Sequence, residues 1–347
     1  MTQDRRPATW KLLGGSLLLL IAMAMLASNE SNVMTYRAAA ARHGGVVVEA
    51  TRKGPTKGND GDMVRVTGTP SVTKPAVDPQ FGIRANVPIL WRVTEMFQWR
   101  EIDYGGSVSY ELQWVDHPVD SSIFKQRARH RNPSALPFGG GRYLAGDMQL
   151  DGFKLSPAIV SAMPGRTHVT PDFSTLQPNM AASFRVVKGT LMTSEDPSSP
   201  QLGDLRVSWR AAPLQEITLI ARNRDGTLVP AEGVEDGPGF ELQVGQHDVL
   251  DMQPDLPPRP WLPWLWRVLS LVLAVFGAYA LLRGVAASSA RRAGPVAALG
   301  VGIALICGLG GVMWITRRAD LGGILLGVAV LALAVTAWRM YERNGAS

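Results

Sequence analysis

The side chains able to hold a metal, move a proton or attack an electrophile are few in this sequence, and their spacing does not favour chemistry. Five histidines occur, His43, His117, His130, His168 and His247, without a His-Glu-x-x-His helix or a Cys/His cluster among them. His117 and His130 with Asp116 and Asp120 form the one set whose convergence would give acid–base chemistry, yet no sequence frame brings them together. Gly139-Gly140-Gly141 lacks the trailing Gly-Lys-Ser/Thr of a phosphate loop and reads as a turn. Ser134, Ser156 and Ser161 stand outside any Gly-x-Ser-x-Gly frame, so none reads as a nucleophile on an elbow. Acidic residues are scattered singly along alternating segments, a pattern that predicts solvent-facing carboxylates. No catalytic residue, metal or cofactor is expected, and the chain reads as a non-enzyme.

Charge points to the membrane. Residues 30–259 carry 24 Lys+Arg against 26 Asp+Glu, while the remaining segments carry 11 against 3. The excess basicity behind the pI of about 9.7 therefore flanks apolar segments, where positive charge sets topology, and a nucleic-acid partner is excluded. Lys125, Arg127, Arg129, His130 and Arg131 are the one cationic concentration between those segments, read as a solvated face with anionic head groups as the alternative contact. The single cysteine, Cys307, lies in an apolar run, so the central region holds neither a disulfide nor a thiolate metal site.

The elements that would position any site follow from this. Residues 12–28 form an uncharged first span, edged by Trp10 and Lys11. A cleavable signal peptide competes with an anchor because Ala22-Met23-Ala24 has small-x-small form, although the apolar run continues past it. Trp261, Trp264 and Trp266 mark an aromatic belt at the start of a second span, 261–282, in which Arg267 is expected to snorkel to the interface. Spans 294–316 and 321–338 follow, separated only by 317–320 and hence a tight antiparallel hairpin. Gly323 and Gly327, four apart, would allow close helix approach within or between chains. Counting Arg5, Arg6, Lys11, Arg283, Arg291, Arg292, Arg339 and Arg343 against Arg317 and Arg318 places segments 1–11, 283–293 and 339–347 in the cytoplasm and 29–260 outside it. The fold class is thus an α+β membrane protein: a β-rich extracytoplasmic domain with short helices, plus four transmembrane helices, one N-terminal and three C-terminal.

Within the domain, period-two runs predict strands at Met63–Gly68, across Trp91, Val93, Glu95, Phe97 and Trp99, and from Val108 to Trp114. Gly105-Gly106 between the last two predicts a tight hairpin. A second hairpin is expected at Glu216–Pro230, turning at Asn223–Gly226, with further strands at Leu205–Trp209 and Phe240–Val244. The segment Gly165–Asn179 reads as a loop.

Several blocks in one order carry a resemblance: Glu95-Met96-Phe97-Gln98-Trp99, His130 to Phe138, Gly203-Asp204-Leu205-Arg206-Val207-Ser208-Trp209, Ile220-Ala221-Arg222 with Leu228-Val229-Pro230, and Asn29-Glu30 after the first span. Together they resemble the transmembrane protein 43 family, also called LUMA, over nearly the whole chain, more weakly over Leu155–Asn179. Where animal members continue Gly-Arg after Asn-Glu, this chain has Ser31-Asn32. Eukaryotic members reside in the endoplasmic reticulum and inner nuclear membrane and are linked to lamins and emerin. The resemblance thus implies a non-enzymatic membrane scaffold, with the bilayer and a homo-oligomer or membrane protein as partners. An Arg- and Ala-rich, short chain points to a bacterial inner membrane with a periplasmic domain, where there is no lamina. A lipid- or small hydrophobic ligand-binding protein is the alternative. Glu95, Trp99, Asn132, Pro133, Asp204 and Arg206 are the block positions of expected structural or partner role; Asp204 and Arg206, two apart on one strand, are expected to face the same side, where they could form a pair.

Overall fold

The computed structural model describes residues 6–50, 54–55, 59–235, 237–286 and 294–345. Arg5, Arg291 and Arg292, counted above for topology, lie outside them. In chain order the elements are α1 (Arg6–Arg42), β1 (Val47–Glu49), β2 (Met63–Gly68), β3 (Ser71–Lys74), β4 (Ala76–Asp78), β5 (Ile83–Ala85), β6 (Ile89–Tyr104), β7 (Ser107–Val115), β8 (Gly141–Leu144), β9 (Asp147–Leu150), β10 (Phe153–Leu155), α2 (Pro157–Ser161), β11 (Thr167–Val169), α3 (Pro178–Ser183), β12 (Arg185–Val187), β13 (Thr190–Met192), β14 (Leu205–Ala211), β15 (Ile217–Arg224), β16 (Thr227–Val229), β17 (Glu241–Val244), α4 (Val249–Met252), α5 (Pro263–Ala286), α6 (Pro295–Trp314) and α7 (Ala319–Gly345). Two compact units result: Met1–Ala39 with Asp255–Ser347, and Ala40–Pro254 between them.

In the first unit α1, α5, α6 and α7 are each long and apolar enough to cross a membrane, the arrangement expected of a one-plus-three protein. The expected end of the first span at Ser28 is exceeded. Helix α1 runs on through Asn29-Glu30-Ser31-Asn32 to Arg42, so no turn follows the span and the compact β unit begins at Ala40 rather than at residue 29. Buried Ala22, Leu26, Glu30, Val33, Tyr36 and Ala40 recur every three or four residues, one continuous stripe that a hydropathy reading cuts at Glu30 because it scores the carboxylate as a stop. Within the chain, close helix approach uses other glycines than Gly323 and Gly327, whose missing side chains face open space. A Cβ on Gly15 would sit 2.7 Å from the backbone of Leu281, and one on Gly311 would sit 2.7 Å from Leu326, so these residues permit the α1–α5 and α6–α7 contacts.

The second unit is built on two large sheets. One runs β1-β2-β15-β16-β10-β9-β3 with β17 beside β15; the other runs β12-β13-β14-β6-β7 with β11 on β14 and β8 on β6. A small pair, β4-β5, stands apart. Both predicted hairpins form. Gly105 and Gly106 have φ of 67° and 110°, letting Tyr104 pair with Ser107, while Asp225 and Gly226 at 50° and 77° close β15 onto β16. The expected loop 165–179 contains β11, which adds to β14 through Val169 and Trp209. Three residues are too few for alternation to be read in a sequence. Strand β15 is buried on both faces from Ile217 to Ala221 and anchors the core of Val64, Leu150, Phe153, Leu219 and Leu228.

Strand β6 reverses a simple reading of its alternation. Its aromatic face, Trp91, Val93, Phe97 and Trp99, is half-buried, whereas Leu90, Arg92, Thr94, Met96 and Gln98 face the interior. Arg92 is tolerated there because Asp78, 0% exposed, accepts from its Nη1 at 2.9 and 3.1 Å, and Gly139 O accepts from its Nε at 2.9 Å. The second Asp78 oxygen also accepts from Trp209 Nε1 at 3.2 Å, and Phe81 packs edge-on against Trp209 at 5.4 Å. Asp78 overturns the expectation that the carboxylates face solvent, because a buried charge is stable only when its partners satisfy it completely, and these lie 14 and 131 residues away. Asp78→Ala is therefore expected to destabilise the chain by about 3–5 kcal/mol, and Asp78→Leu with Arg92→Leu by much less, in thermal unfolding followed by tryptophan fluorescence.

Candidate functional site

The six block residues converge along one edge of β6. Glu95 and Arg206 face each other in the β6–β14 register and form a bidentate pair, Nε–Oε2 2.8 Å and Nη2–Oε1 2.9 Å. The Arg206 guanidinium also lies 4.7 Å over Trp114, itself 5.2 Å from Phe97. Arg206 thus pairs across the sheet and not with Asp204. Asp204 precedes β14, accepts from Ser194 Oγ and Gln201 N at 2.7 Å each, and supplies the carbonyl that receives Phe97 N–H at 2.8 Å. Gly203 N–H donates to Phe97 O, and a Cβ on Gly203 would lie 3.6 Å from Pro133. One step further along β6, the Asn132 side chain replaces a neighbouring strand: its Oδ1 accepts from Trp99 N at 2.8 Å and its Nδ2 donates to Trp99 O at 2.9 Å. The strand edge is thereby capped where β14 departs.

Asn132 ends the cationic segment, which is pinned rather than loose. His130 stacks on Tyr110 at 3.8 Å and meets Trp99 edge-on at 4.7 Å. Tyr110 OH donates to Glu101 at 2.5 Å, and Lys125 N–H donates to the same oxygen at 2.6 Å. These two bonds hold the Glu101 carboxyl below the usual carboxylate range, and Gly106 N–H and Lys125 Nζ do the same for Asp103. Arg127, Arg129 and Arg131 remain exposed, as does Ile123, 78% exposed and four residues before the first of them. His117 bonds Asp116 and His130 bonds Gln126 O, so the acid–base set does not assemble. Gly139–Gly141 is not a turn but a positioned extension into β8: Gly139 O accepts from Arg92 and Thr94, and β8 starts at Gly141. Among the described residues no group of three or more His, Cys, Asp or Glu is placed to hold a metal.

The membrane unit holds a second polar centre. Glu30, 3% exposed in its side chain, receives Arg267 Nε at 2.6 Å and Nη2 at 2.8 Å, Trp314 Nε1 at 2.7 Å and Asn29 Nδ2 at 3.1 Å. Asn29 Nδ2 also reaches Pro263 O at 3.3 Å, and Arg37 lies 5.6 Å over the Trp314 ring. Arg267 does more than snorkel: it neutralises a carboxylate from another helix. The sequence signal was available, a lone acid two residues past the C-terminal end of the first apolar run and a lone base near the N-terminal start of the second, ends that consecutive antiparallel spans bring to one side of the bundle, where such charges must find each other.

The sequence pattern of the family described as transmembrane protein 43 matches residues 96–318, more than half of the chain. Transmembrane protein 43 of Homo sapiens is 29% identical over 195 residues, covering 50% of this chain and 48% of that protein. The Mus musculus protein is 28% identical over a stretch of the same length, and the Drosophila melanogaster homologue is 24% identical over 247 residues, 66% of this chain and 65% of its own. The chain spans about half the length of the mammalian relatives it matches.

Two outcomes follow from the site geometry. Removing Arg267 leaves the Glu30 charge buried, so Arg267→Leu is expected to cost about 3 kcal/mol in detergent unfolding, and Glu30→Gln in the same chain to recover most of it. Because the folded-state pKa of Glu101 lies below its unfolded value, its contribution is complete above the ordinary carboxylate range and is lost as pH falls through the lowered value. Hydrogen-exchange protection at 107–110 and 125–131, taken relative to the intrinsic exchange rate at each pH, is therefore expected to fall at acid pH in the native chain, with that dependence reduced in Glu101→Gln.

Proposed function

This chain belongs to the transmembrane protein 43 family, and we propose that it serves without catalysis as a membrane-anchored scaffold whose β unit engages a second copy or a membrane protein. The observation that carries the reading is the Glu30–Arg267 clasp. It joins the helix that precedes the β unit in the chain to the helix that follows it, so the two helices on either side of that domain in sequence are fixed to each other. A domain tied at both ends loses orientational freedom and meets partners in two dimensions, which lowers the entropic cost of assembly. The saturated bonding of Glu95, Asn132, Asp204 and Arg206 favours recognition over reaction at their edge of β6, and the exposed arginines of 127–131 offer a cationic segment to a partner. The counting of flanking charges favours cytoplasmic termini with the β unit on the opposite side, the periplasm if the source is bacterial.

Complex mass in mild detergent tests the proposal. A defined oligomer, or a stoichiometric membrane protein recovered with the full-length chain, is expected, and Arg127→Glu with Arg131→Glu should dissociate it. A monomer with no protein partner after gentle cross-linking in the native membrane would overturn it.

A further inference from the structure

The membrane unit contains a groove of about 320 Å³, walled by α1, α5, α6 and α7. Its length is apolar: Leu26, Leu271, Ile303 and Ile306 line it, with Cys307 on the wall. Its polar groups sit together at one end, where Trp314 donates to Glu30 and Glu30 holds Arg267. Ile303 and Trp314 are eleven residues apart on α6, which at helical rise makes the groove roughly 16 Å long, the dimension of a substantial part of an acyl chain.

The charge around the polar end decides what head group would fit. Glu30 is already neutralised by Arg267, and Arg318 by Asp320 at 2.6 Å. Arg37 lies over the Trp314 ring, and Arg317 follows α6 with its backbone N–H on Trp314 O at 3.0 Å. Both side chains are exposed, and neither makes an ion pair among the described residues. Arg267 itself is 44% exposed, and its Nη1 makes no hydrogen bond among those residues. An apolar slot ending in a neutralised pair, with one uncompensated guanidinium over its Trp314 wall and a second on the residue three past Trp314, is complementary to an amphiphile with a negative head. We propose that this groove is a site for one acyl chain of an anionic phospholipid, its phosphate held by Arg37, Arg317 and the free edge of Arg267. The site goes beyond the scaffold reading and does not depend on it.

Cys307 is the sole cysteine of the chain, so a thiol reagent reads this groove alone. Alkylation of the full-length protein by N-ethylmaleimide in mild detergent would be timed with dioleoyl phosphatidylglycerol or dioleoyl phosphatidylcholine at equal mole fraction. The anionic lipid is expected to slow the reaction about tenfold more than the zwitterionic one, and Arg37→Gln with Arg317→Gln to abolish the difference. Native mass spectrometry of the same samples should find one phosphatidylglycerol per chain, with Cys307→Phe, which fills the groove, losing it. Equal slowing by both lipids would identify ordinary annular lipid and overturn the proposal. So would protection that needs no lipid and grows with protein concentration, which would assign the groove to a second copy, and so would an undiminished adduct in Cys307→Phe.

Discussion

A carboxylate inside an apolar helix bundle is the constraint that orders the membrane unit. Glu30 cannot remain charged there without donors, since an unpaired ion in a low-dielectric interior costs several kcal/mol. Four donated bonds from Arg267, Trp314 and Asn29 answer that demand, and they come from α5, α6 and α1 itself. Helices α1 and α5 touch again at Gly15 and Gly277, where a Cβ on either would meet the other helix's backbone within about 3.0 Å. A close packing contact at one place and a bidentate ion pair at another fix both the register and the tilt of the two helices. Neither contact alone would do so, because apolar helix faces slide against one another with little loss of dispersion energy in lipid.

The β unit applies the same device. Strand β6 sends Arg92, Thr94 and Gln98 inward, and each meets a loop: Arg92 and Thr94 the Gly139 carbonyl, Gln98 the His117 carbonyl at 2.7 Å and the Val119 amide at 3.0 Å. Asn132 performs the corresponding task on the strand edge. The connections 117–119, 132 and 139 are therefore held by side-chain bonds from or to one strand, which is how a domain without disulfides keeps long connections ordered. The opposite face, with Glu95, Phe97 and Trp99, remains half-buried and carries the Arg206–Trp114 stack.

What the sequence made legible was local. Glycine pairs with positive φ fixed the β6–β7 turn, alternation located β2 and β14, and uninterrupted apolar length located the four spans. What it concealed was partnership over distance. Glu30 and Arg267 are 237 residues apart, Trp209 and Asp78 131, Arg206 and Glu95 111, and no periodicity encodes which of many acids meets which of many bases. Asp204 and Arg206 looked like a pair because i and i+2 share a strand face, yet Asp204 lies outside β14 and a cross-strand neighbour stands closer than a residue two along. Gly323 and Gly327 met the small-residue rule and still face open space, whereas Gly300 and Gly311 on the neighbouring helix permit the α6–α7 contact. The rule identifies helices that can approach, and the neighbour's side chains decide where they do.

The buried and half-buried charges of the two units are held by several bonds each. Asp78, Arg92, Glu30, Glu95 and Arg206 each meet partners that use much of their bonding capacity, so a proton or substrate reaching them would have to displace an existing bond at a cost of about 1–3 kcal/mol each. Arg127, Arg129, Arg131, Arg37 and Arg317 are exposed and make no ion pair among the described residues. Groups of the first kind determine shape, and those of the second kind are left to meet something else. In the segment 127–131 three such guanidinium groups lie within five residues, and there an acidic surface or an anionic head group gains while a cationic partner is repelled before contact.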